Sequence, residues 1–578
     1  MASTGESILF LYPCPPGMRK VHLPPGLVAA MGLAGTLPNV HVEWYPVPWH
    51  ELSTDLVAER LRQTGCRILA SPVYSDGHYR IERIIQGLLA ARSAEAVIVG
   101  GPHIDAVGDS FMKGCRRLFR SVSPTEQDVI SLFGEAIEAV TGRRPTRRYP
   151  AGSKARLGHR RIAYEILEGT STPEWRSARP VLVTSLGCNR RCTFCAEPSR
   201  VGRILFRAPD VIEAEVSWLS NELDYRFMMI ADDNILACRQ HAERVTEILH
   251  RTSARHPDLR CFLLTRPEDV LQNEDIVRRW PDLHVVRVQI GLESGCLSMR
   301  RRYGKPFSTE TIRKAVKILF HAGIPSIVGS FILGGPFETR ESVEKTASLI
   351  VDLIEEAPGV FEPDISYLRP YPSISLLRRP SRGLRAIAGI RLGNTVEDRP
   401  FFETPAMTEA QLFQAREDLD TRIRGAMISG CDRVAADRWA HKNASEQEIG
   451  IESLWSKTYK EAPNCLGAIS LRADLRGPAL GNVLPAQATG YVPRCTVVVP
   501  NKSLAKGSLL PLGRSRGVRI SPQLTWLLAA CNGERTLQEV IEDYANRFGL
   551  QRERLLDEVW PLLVEFTTGN LLVWETRR

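Results

Sequence analysis

The sequence predicts an α/β chain in three folded parts. Residues 1–145 read as a doubly wound parallel sheet, residues 181–375 as a partial barrel of six β/α units, and residues 501–578 as a winged-helix-like α+β domain. Three observations predict it. Short apolar runs alternate with amphipathic helical patterns through the first two parts, which is the rhythm of parallel sheets covered by helices. Three cysteines, Cys188, Cys192 and Cys195, stand where the first strand of the second part hands over to a loop, the end at which such folds place their chemistry. The last part reads hairpin, three helices, extended run. Residues 146–180 are rich in Arg, Pro and Gly and read as a linker with solvated charge. Residues 376–500 are irregular and read as a capping subdomain.

The bulk numbers agree with a large globular protein. At 578 residues, 43% hydrophobic and 24% charged, sizeable cores are expected and disorder is not. A formal charge of +9 is modest for this length and gives no nucleic-acid signature. Thirteen cysteines in so long a chain do not make a disulfide scaffold. Residues 1–7 carry no signal-peptide pattern and no run is long enough to span a bilayer, so the reducing cytoplasm is the expected compartment.

In the first part, strands are predicted at Ser7–Tyr12, Asn39–Val47, Cys66–Pro72, Glu95–Val99 and Cys115–Ser121. Helices are predicted at Pro24–Thr36, Ser53–Gln63, Tyr79–Arg92 and Thr125–Val140. The third helix shows the logic: Ile81, Ile84, Ile85, Leu88 and Leu89 keep the three-and-four spacing of a buried face. Ligands of such sheets bind beyond the carboxyl ends of the strands. Those ends are Tyr12-Pro-Cys-Pro-Pro-Gly17, Ser71-Pro-Val-Tyr-Ser75 and Gly100-Gly-Pro-His103. No G-x-G-x-x-G fingerprint is present, so a dinucleotide is not favoured.

The second part opens with Val181–Gly187, an apolar strand leading into Cys188-Asn-Arg-Arg-Cys192-Thr-Phe-Cys195. A cubane iron–sulfur cluster takes four thiolates. Three from one tight loop hold three irons and leave the fourth open to another ligand. A structural zinc site wants four ligands, and no fourth lies nearby. Further strands are predicted at Arg226–Ala231, Cys261–Thr265, Val285–Leu292, Ile327–Leu333 and Ile365–Leu368. Helices are predicted at Asp210–Glu222, Ala237–Leu249, Glu268–Trp280, Thr309–Ala322 and Glu341–Ile354. Strand ends carry the candidates: Asp232-Asp-Asn234, Gly291-Leu-Glu293-Ser-Gly295, Gly334-Gly-Pro336 and Arg369-Pro-Tyr371-Pro372. Asp232 and Asp233 also suit helix N-caps. Arg300, Arg301 and Arg302 offer a fork for a carboxylate or an exposed helix end.

In the last third, Thr408-Glu-Ala-Gln411 opens a helix over Thr408–Arg424 with a capping-box pattern. Leu510–Ser521 reads as a hairpin, followed by helices at Pro522–Ala530, Leu537–Phe548 and Arg554–Phe566 and an extended run, Gly569–Trp574. Leu537, Val540, Ile541, Tyr544 and Phe548 mark one buried face.

The cysteine spacing, with Phe194 just before the third thiol, resembles the radical S-adenosylmethionine (SAM) superfamily. The order GLESG, MRRRYGKPF, FILGGPFE extends the resemblance to cobalamin-type members over 181–375. It implies a [4Fe–4S] cluster on Cys188, Cys192 and Cys195, and SAM contacts at Phe194, Glu293, Gly334 and Gly335. Residues 1–145 resemble the cobalamin-binding Rossmann-like domain that precedes many radical SAM domains, through Val99-Gly-Gly-Pro-His103 and the Pro-rich first loop. That implies cobalamin contacts at Tyr12, Pro13, Ser71, Pro72, Val73, Gly100, Gly101 and Pro102. Asp76-Gly-His78-Tyr-Arg-Ile81 departs from the D-x-H-x-x-G pattern, so cobalamin without a protein imidazole on cobalt is expected. The winged-helix pattern is similar to the recognition elements that bind leader peptides by strand addition.

The combined resemblance implies a cytoplasmic cobalamin-dependent radical SAM methyltransferase. It would move a methyl group from SAM to a carbon of an amino acid or peptide in natural-product biosynthesis, including antibiotics. Its plan is similar to the tryptophan 2-C-methyltransferases of thiopeptide biosynthesis. The implied partners are a small-molecule or peptide substrate, a possible leader peptide at the C-terminal domain, and an electron donor such as flavodoxin or ferredoxin, with no nucleic acid and no membrane. A radical SAM cyclase and a peptide-binding scaffold with a relic cluster are the alternatives. Thiomethylation of tRNA predicts a basic appendage that the sequence does not display.

Overall fold

The computed structural model describes residues 6–14, 21–122, 125–145, 161–196, 203–224, 226–372, 374–377, 384–387, 399–430, 455, 491–495, 508–511, 517–520, 522–531, 535–551, 555–556, 559–560, 563 and 572–576. The chain divides into two compact units. One is Met1–Ile350 with Pro363–Ala415; the other is Val351–Glu362 with Arg416–Arg578.

The first unit begins with a five-stranded sheet built from β1 (Glu6–Pro13), β2 (Val40–Val47), β3 (Ile68–Pro72), β4 (Ala96–Gly100) and β5 (Leu118–Arg120), in the order β2-β1-β3-β4-β5. Every pairing is parallel. Helices α1 (Pro25–Ala34), α2 (Thr54–Thr64), α3 (His78–Ala90) and α5 (Glu126–Thr141) fall where the sequence puts them. A short α4, Pro102–Val107, is additional. The strands are apolar nearly throughout because both faces are covered. Ile8, Leu9, Phe10 and Leu11 are all essentially inaccessible.

Within the stretch read as a linker, residues 161–180 are packed. They form 3-10 turns at Tyr164–Gly169 and Pro173–Ser177, and Tyr164 and Trp175 are buried, each stacking on Trp218. Ser171 donates to Glu43 and Thr172 to the Trp44 carbonyl, while Ile162 N–H donates to Glu215. The expected solvated linker therefore does not extend over 161–180, which tie β2 of the first sheet to the helix carrying Glu215 and Trp218. Composition misled because the buried aromatics are sparse among charges.

The second sheet has six strands: β6 (Val181–Leu182), β9 (Phe227–Ile230), β10 (Arg260–Thr265), β11 (Val285–Glu293), β12 (Ser326–Leu333) and β13 (Phe361–Tyr367). They lie in sequential order, which is the predicted open barrel wall. Two short strands, β7 (Ser185–Leu186) and β8 (Leu205–Phe206), pair antiparallel and bracket the cysteine loop. The predicted helix Glu268–Trp280 is two pieces, Pro267–Gln272 and Glu274–Val277, broken at Asn273, whose side chain donates to the Asp269 carbonyl.

In the second unit, Ser508–Pro511 pairs antiparallel with Gly517–Ile520, and helices Pro522–Ala530 and Leu537–Phe548 come after them. Thr536 and Glu539 form a capping box at the second of these. Leu527, Leu528, Leu537, Val540, Ile541 and Tyr544 share one core with Leu555, Val559 and Leu563. The predicted closing strand, here Leu572–Thr576, pairs with Tyr491–Cys495, a strand inside the stretch expected to be irregular. Among the described residues no helix is long and apolar enough to cross a membrane.

Candidate active site

The cysteine loop is held by protein contacts from three directions. On the approach, Asp232 is completely buried at the end of β9 and accepts from Thr184 N–H at 2.6 Å, Thr184 Oγ1 at 2.5 Å and Ser185 Oγ at 2.6 Å. It is not a helix cap: the next helix begins at Arg239, after Cys238. On one flank, Thr193 N–H donates to the Tyr303 carbonyl at 3.1 Å and Thr193 Oγ1 to the Arg302 carbonyl at 2.9 Å. Gly304, at φ +77, lies against the Arg191 carbonyl, where a Cβ would come within 2.9 Å. On the other flank, Arg190 donates to Asp269 at 2.6 Å, and Asp269 also accepts from Asn234 at 2.6 Å. Arg266 donates to Cys192 Sγ at 3.1 Å.

Cys192 is the buried corner of the loop; Cys188 and Cys195 are half-buried. Burial pushes the Cys188 thiol up, with Asp233 and Cys192 adding to it, so an incoming iron must displace a proton there. Among the described residues no three His, Cys, Asp or Glu converge as ligands of one metal ion would. A cubane does not require that, since each thiolate binds a different iron. Among the described residues, Arg190 Nε and Glu268 Oε2 are buried without a hydrogen-bond partner beside this loop. A polar, charged occupant would satisfy them, so the residues fit a cluster and its outer ligand.

Next to the loop lies a buried ion pair. Glu293 Oε1 and Lys305 Nζ are 2.6 Å apart with both side chains nearly inaccessible, and Lys305 Nζ stands 5.7 Å from the Phe194 ring centroid. Glu293 has φ +64, a left-handed backbone at a bulge in the β11–β12 pairing. A Cβ on Gly291 would overlap Lys305 Nζ, so that glycine makes room for the pair. Phe194 meets Tyr303 edge-on, with ring centroids at 5.5 Å. Gly334, at φ +72, is the glycine required by backbone shape. At Gly335 the space is already taken, because a Cβ would overlap Tyr303 Oη. Gly335 can meet a cofactor through its backbone only.

Arg300 does not offer the expected carboxylate fork. It is fully buried, and its guanidinium donates to the carbonyls of Phe307 and Ser294 and to Thr309 Oγ1. Arg302 is spent on the Phe337 ring at 3.5 Å. Of the helix end read as exposed, Arg300 is buried while Arg301 and Arg302 remain exposed.

A cavity of about 510 Å³ opens at the carboxyl ends of the first sheet. Of the loop residues singled out in the sequence, Ser71, Pro72, Gly100, Gly101 and Pro102 line it. Tyr12, Pro13 and Val73 do not. Tyr12 and Pro13 still pair with β2, and Val73 is sealed in the core with its N–H on the Gly100 carbonyl. Gly101 has φ +94, and a Cβ there would press on the Val73 backbone at 3.3 Å. The sequence reading missed Pro24, Leu27 and the helix face Val129, Leu132 and Phe133. The three-and-four spacing of that face was the available signal. Val183 and Ala231, just past the ends of β6 and β9, and Leu186 of β7 complete the wall. This largely apolar cradle, with glycine at its rim, fits the face of a large flat ring such as a corrin. His78 and His103 are stacked at 4.3 Å and engaged with Ser75, His78 on its carbonyl and His103 on its hydroxyl, and neither lines the cavity.

Residues 182–350 match the family model of the Radical SAM superfamily. This segment is a radical SAM domain. A radical SAM domain implies a [4Fe–4S] cluster and SAM. A tRNA-2-methylthio-N(6)-dimethylallyladenosine synthase of Clostridium botulinum is 26% identical over 207 residues, which are 34% of this chain and 44% of that one. The chain thus spans less than half the length of that curated relative. Among solved structures, the radical SAM methyltransferase TsrM from Kitasatospora setae, with cobalamin and [4Fe–4S] cluster bound, superposes with a TM-score of 0.55. It is 15% identical, and the match covers 77% of this chain and 99% of that one. The cobalamin-dependent radical SAM enzyme OxsB, with aqua-cobalamin and SAM bound, gives 0.54 at 14% identity over 98% and 84%. These likenesses establish the architecture: a Rossmann-like sheet followed by a radical SAM domain, as in two cobalamin-dependent enzymes.

Proposed function

We propose that the protein is a cobalamin-dependent radical SAM C-methyltransferase acting on an amino acid or peptide, with C2 of tryptophan as the leading acceptor. The observation that carries the reading is the placement of the 510 Å³ cavity. Its walls come from the strand ends of both sheets, and Leu186 in its lining stands two residues before Cys188. A corrinoid held there would lie next to the cluster loop, which is what relaying a methyl group from SAM requires.

When bound, the corrinoid supplies a carrier for the methyl group and the cluster supplies single electrons. The chain's own residues do the rest. Cys188, Cys192 and Cys195 hold three irons. Glu293, with Oε1 fixed by Lys305, presents Oε2 to the ribose or ammonium of SAM, and Phe194 and the Gly334–Gly335 backbone shape its bed. Ser71, Pro72, Gly100, Gly101 and Pro102 line the corrin face. The electron comes from a flavodoxin or ferredoxin, and the C-terminal domain is a candidate leader-peptide site. The structural matches to a methyltransferase and to a second cobalamin-dependent radical SAM enzyme support this reading, and the apolar cradle favours it over the methylthiolation named for the curated relative, whose likeness stops at 34% of the chain.

The test is anaerobic reconstitution with hydroxocobalamin, iron and sulfide, followed by assay with methyl-labelled SAM and tryptophan or a tryptophan-containing peptide. Corrin absorbance that stays with the protein and label on an acceptor carbon are expected. Loss of all corrin on gel filtration overturns the cobalamin reading. Corrin retention without label transfer, alongside a rearranged product, would favour the cyclase alternative. Cys192→Ala should abolish the brown cluster absorbance and all SAM turnover.

A further inference from the structure

Arg266 differs from the other contacts that hold the cluster loop in reaching a thiol itself. It comes directly after β10, outside every motif that the sequence singles out. It is almost fully buried, donates to Cys192 Sγ at 3.1 Å, and pairs with Glu268 at 2.7 Å. The Phe307 ring lies 6.0 Å from its guanidinium carbon and keeps water off one side. Cys192 is itself the most buried of the three thiols.

We propose that Arg266 sets the reduction potential of the cluster, acting through Cys192 Sγ, with Glu268 as the opposing charge that limits its effect. The inference rests on Cys192 being a cluster ligand. Reduction adds one negative charge to a site already carrying three thiolates. A buried corner of low polarity penalises that charge and drives the potential down. A cationic N–H donor on the sulfur stabilises the reduced form more than the oxidised one and moves the potential back up. Glu268 withdraws part of that help. The arrangement gives two handles of opposite sign on one sulfur. The reaction concerned is one electron passing from a low-potential donor, flavodoxin-type or dithionite, to the oxidised cluster, with no bond made or broken.

The experiment is a redox titration of the reconstituted full-length protein, followed by the paramagnetic signal of the reduced cluster, with iron content measured on each sample. In Arg266→Gln the reduced-to-oxidised ratio at a fixed poise should fall about tenfold, equivalent to about 59 mV for a one-electron couple. Arg266→Lys, which keeps the charge, should recover part of the fall. Glu268→Gln should move the midpoint the other way. An Arg266→Gln protein with full iron and an unchanged midpoint overturns the proposal. If that variant fails to hold iron, Glu268→Gln decides: a higher midpoint supports the proposal and an unmoved one overturns it. A wild-type protein that takes up no cluster overturns instead the ligand assignment on which this rests, and the two failures are told apart by iron content alone.

Discussion

Tyr303 and Glu338 lie inside the MRRRYGKPF and FILGGPFE stretches, yet the sequence assigns neither of them a role. Both are buried, and Tyr303 Oη and Glu338 Oε2 have no hydrogen-bond partner among the described residues. Glu338 accepts from Ser342 Oγ and from Gly334 N–H, yet burial pushes its carboxyl up to about 7. That folded value lies above the unfolded one near 4.5. Its contribution to stability is therefore complete below about pH 4.5 and is lost as pH rises through about 7. Glu338→Gln should melt at a higher temperature than the wild type at pH 8.5 and at about the same temperature at pH 5. Tyr303 predicts a second outcome. Gly335→Ala, which overlaps Tyr303 Oη, should cost about 2 kcal/mol in chemical denaturation. Adding Tyr303→Phe should recover part of that cost, a coupling readable from a double-mutant cycle. The three cysteines were legible because their spacing is local. Arg266 was not, because its partner Cys192 lies 74 positions away and an Arg before a Pro has no pattern of its own.

At the scale of elements, periodicity located nearly every helix and strand of both parallel sheets, and its failures have local causes. The strand predicted over Val181–Gly187 is interrupted: Val181–Leu182 joins the six-stranded sheet, and Ser185–Leu186 turns away to pair with Leu205–Phe206. An unbroken apolar run gives no warning of a change of partner. The last strand of that sheet starts at Phe361, earlier than predicted, and contains Pro363. Proline argues against a central strand, and it is tolerated here because β13 is at the sheet edge. The junction at residues 183–184 is where Asp232 acts. Asp232→Ala would strand the Thr184 and Ser185 donors in the interior. We expect a loss of about 3 kcal/mol in thermal or denaturant unfolding and reduced iron occupancy after reconstitution.

At the scale of the first compact unit, the two sheets meet around the cavity and are also pinned beside it. Asp76, at the turn before α3, accepts from Arg369 at 2.9 Å and from Tyr371 Oη at 3.2 Å, both in the loop after β13. A D-x-H-like stretch that the sequence suggested as a near-miss of a cobalt-ligand motif thus serves as a clasp between sheets. Asp76→Ala should leave iron content unchanged and speed the loss of bound cobalamin several-fold, measured by corrin absorbance after dilution. The C-terminal part was legible as helices and hairpin, because those patterns are short-range. The strand partner Tyr491–Cys495 was not, because it pairs with Leu572–Thr576 across most of that part of the chain. The clamps on residues 184–193 carry one more consequence. Carbonyls of Tyr303 and Arg302, the carboxylates of Asp232 and Asp269, and the Gly304 backbone fix that segment without help from iron. A zinc finger collapses when its metal is chelated; here the scaffold should outlast its inorganic guest. Stripping the iron should bleach the colour yet leave the far-ultraviolet circular dichroism intact, so that a finished cube can be delivered to a receptacle already in shape.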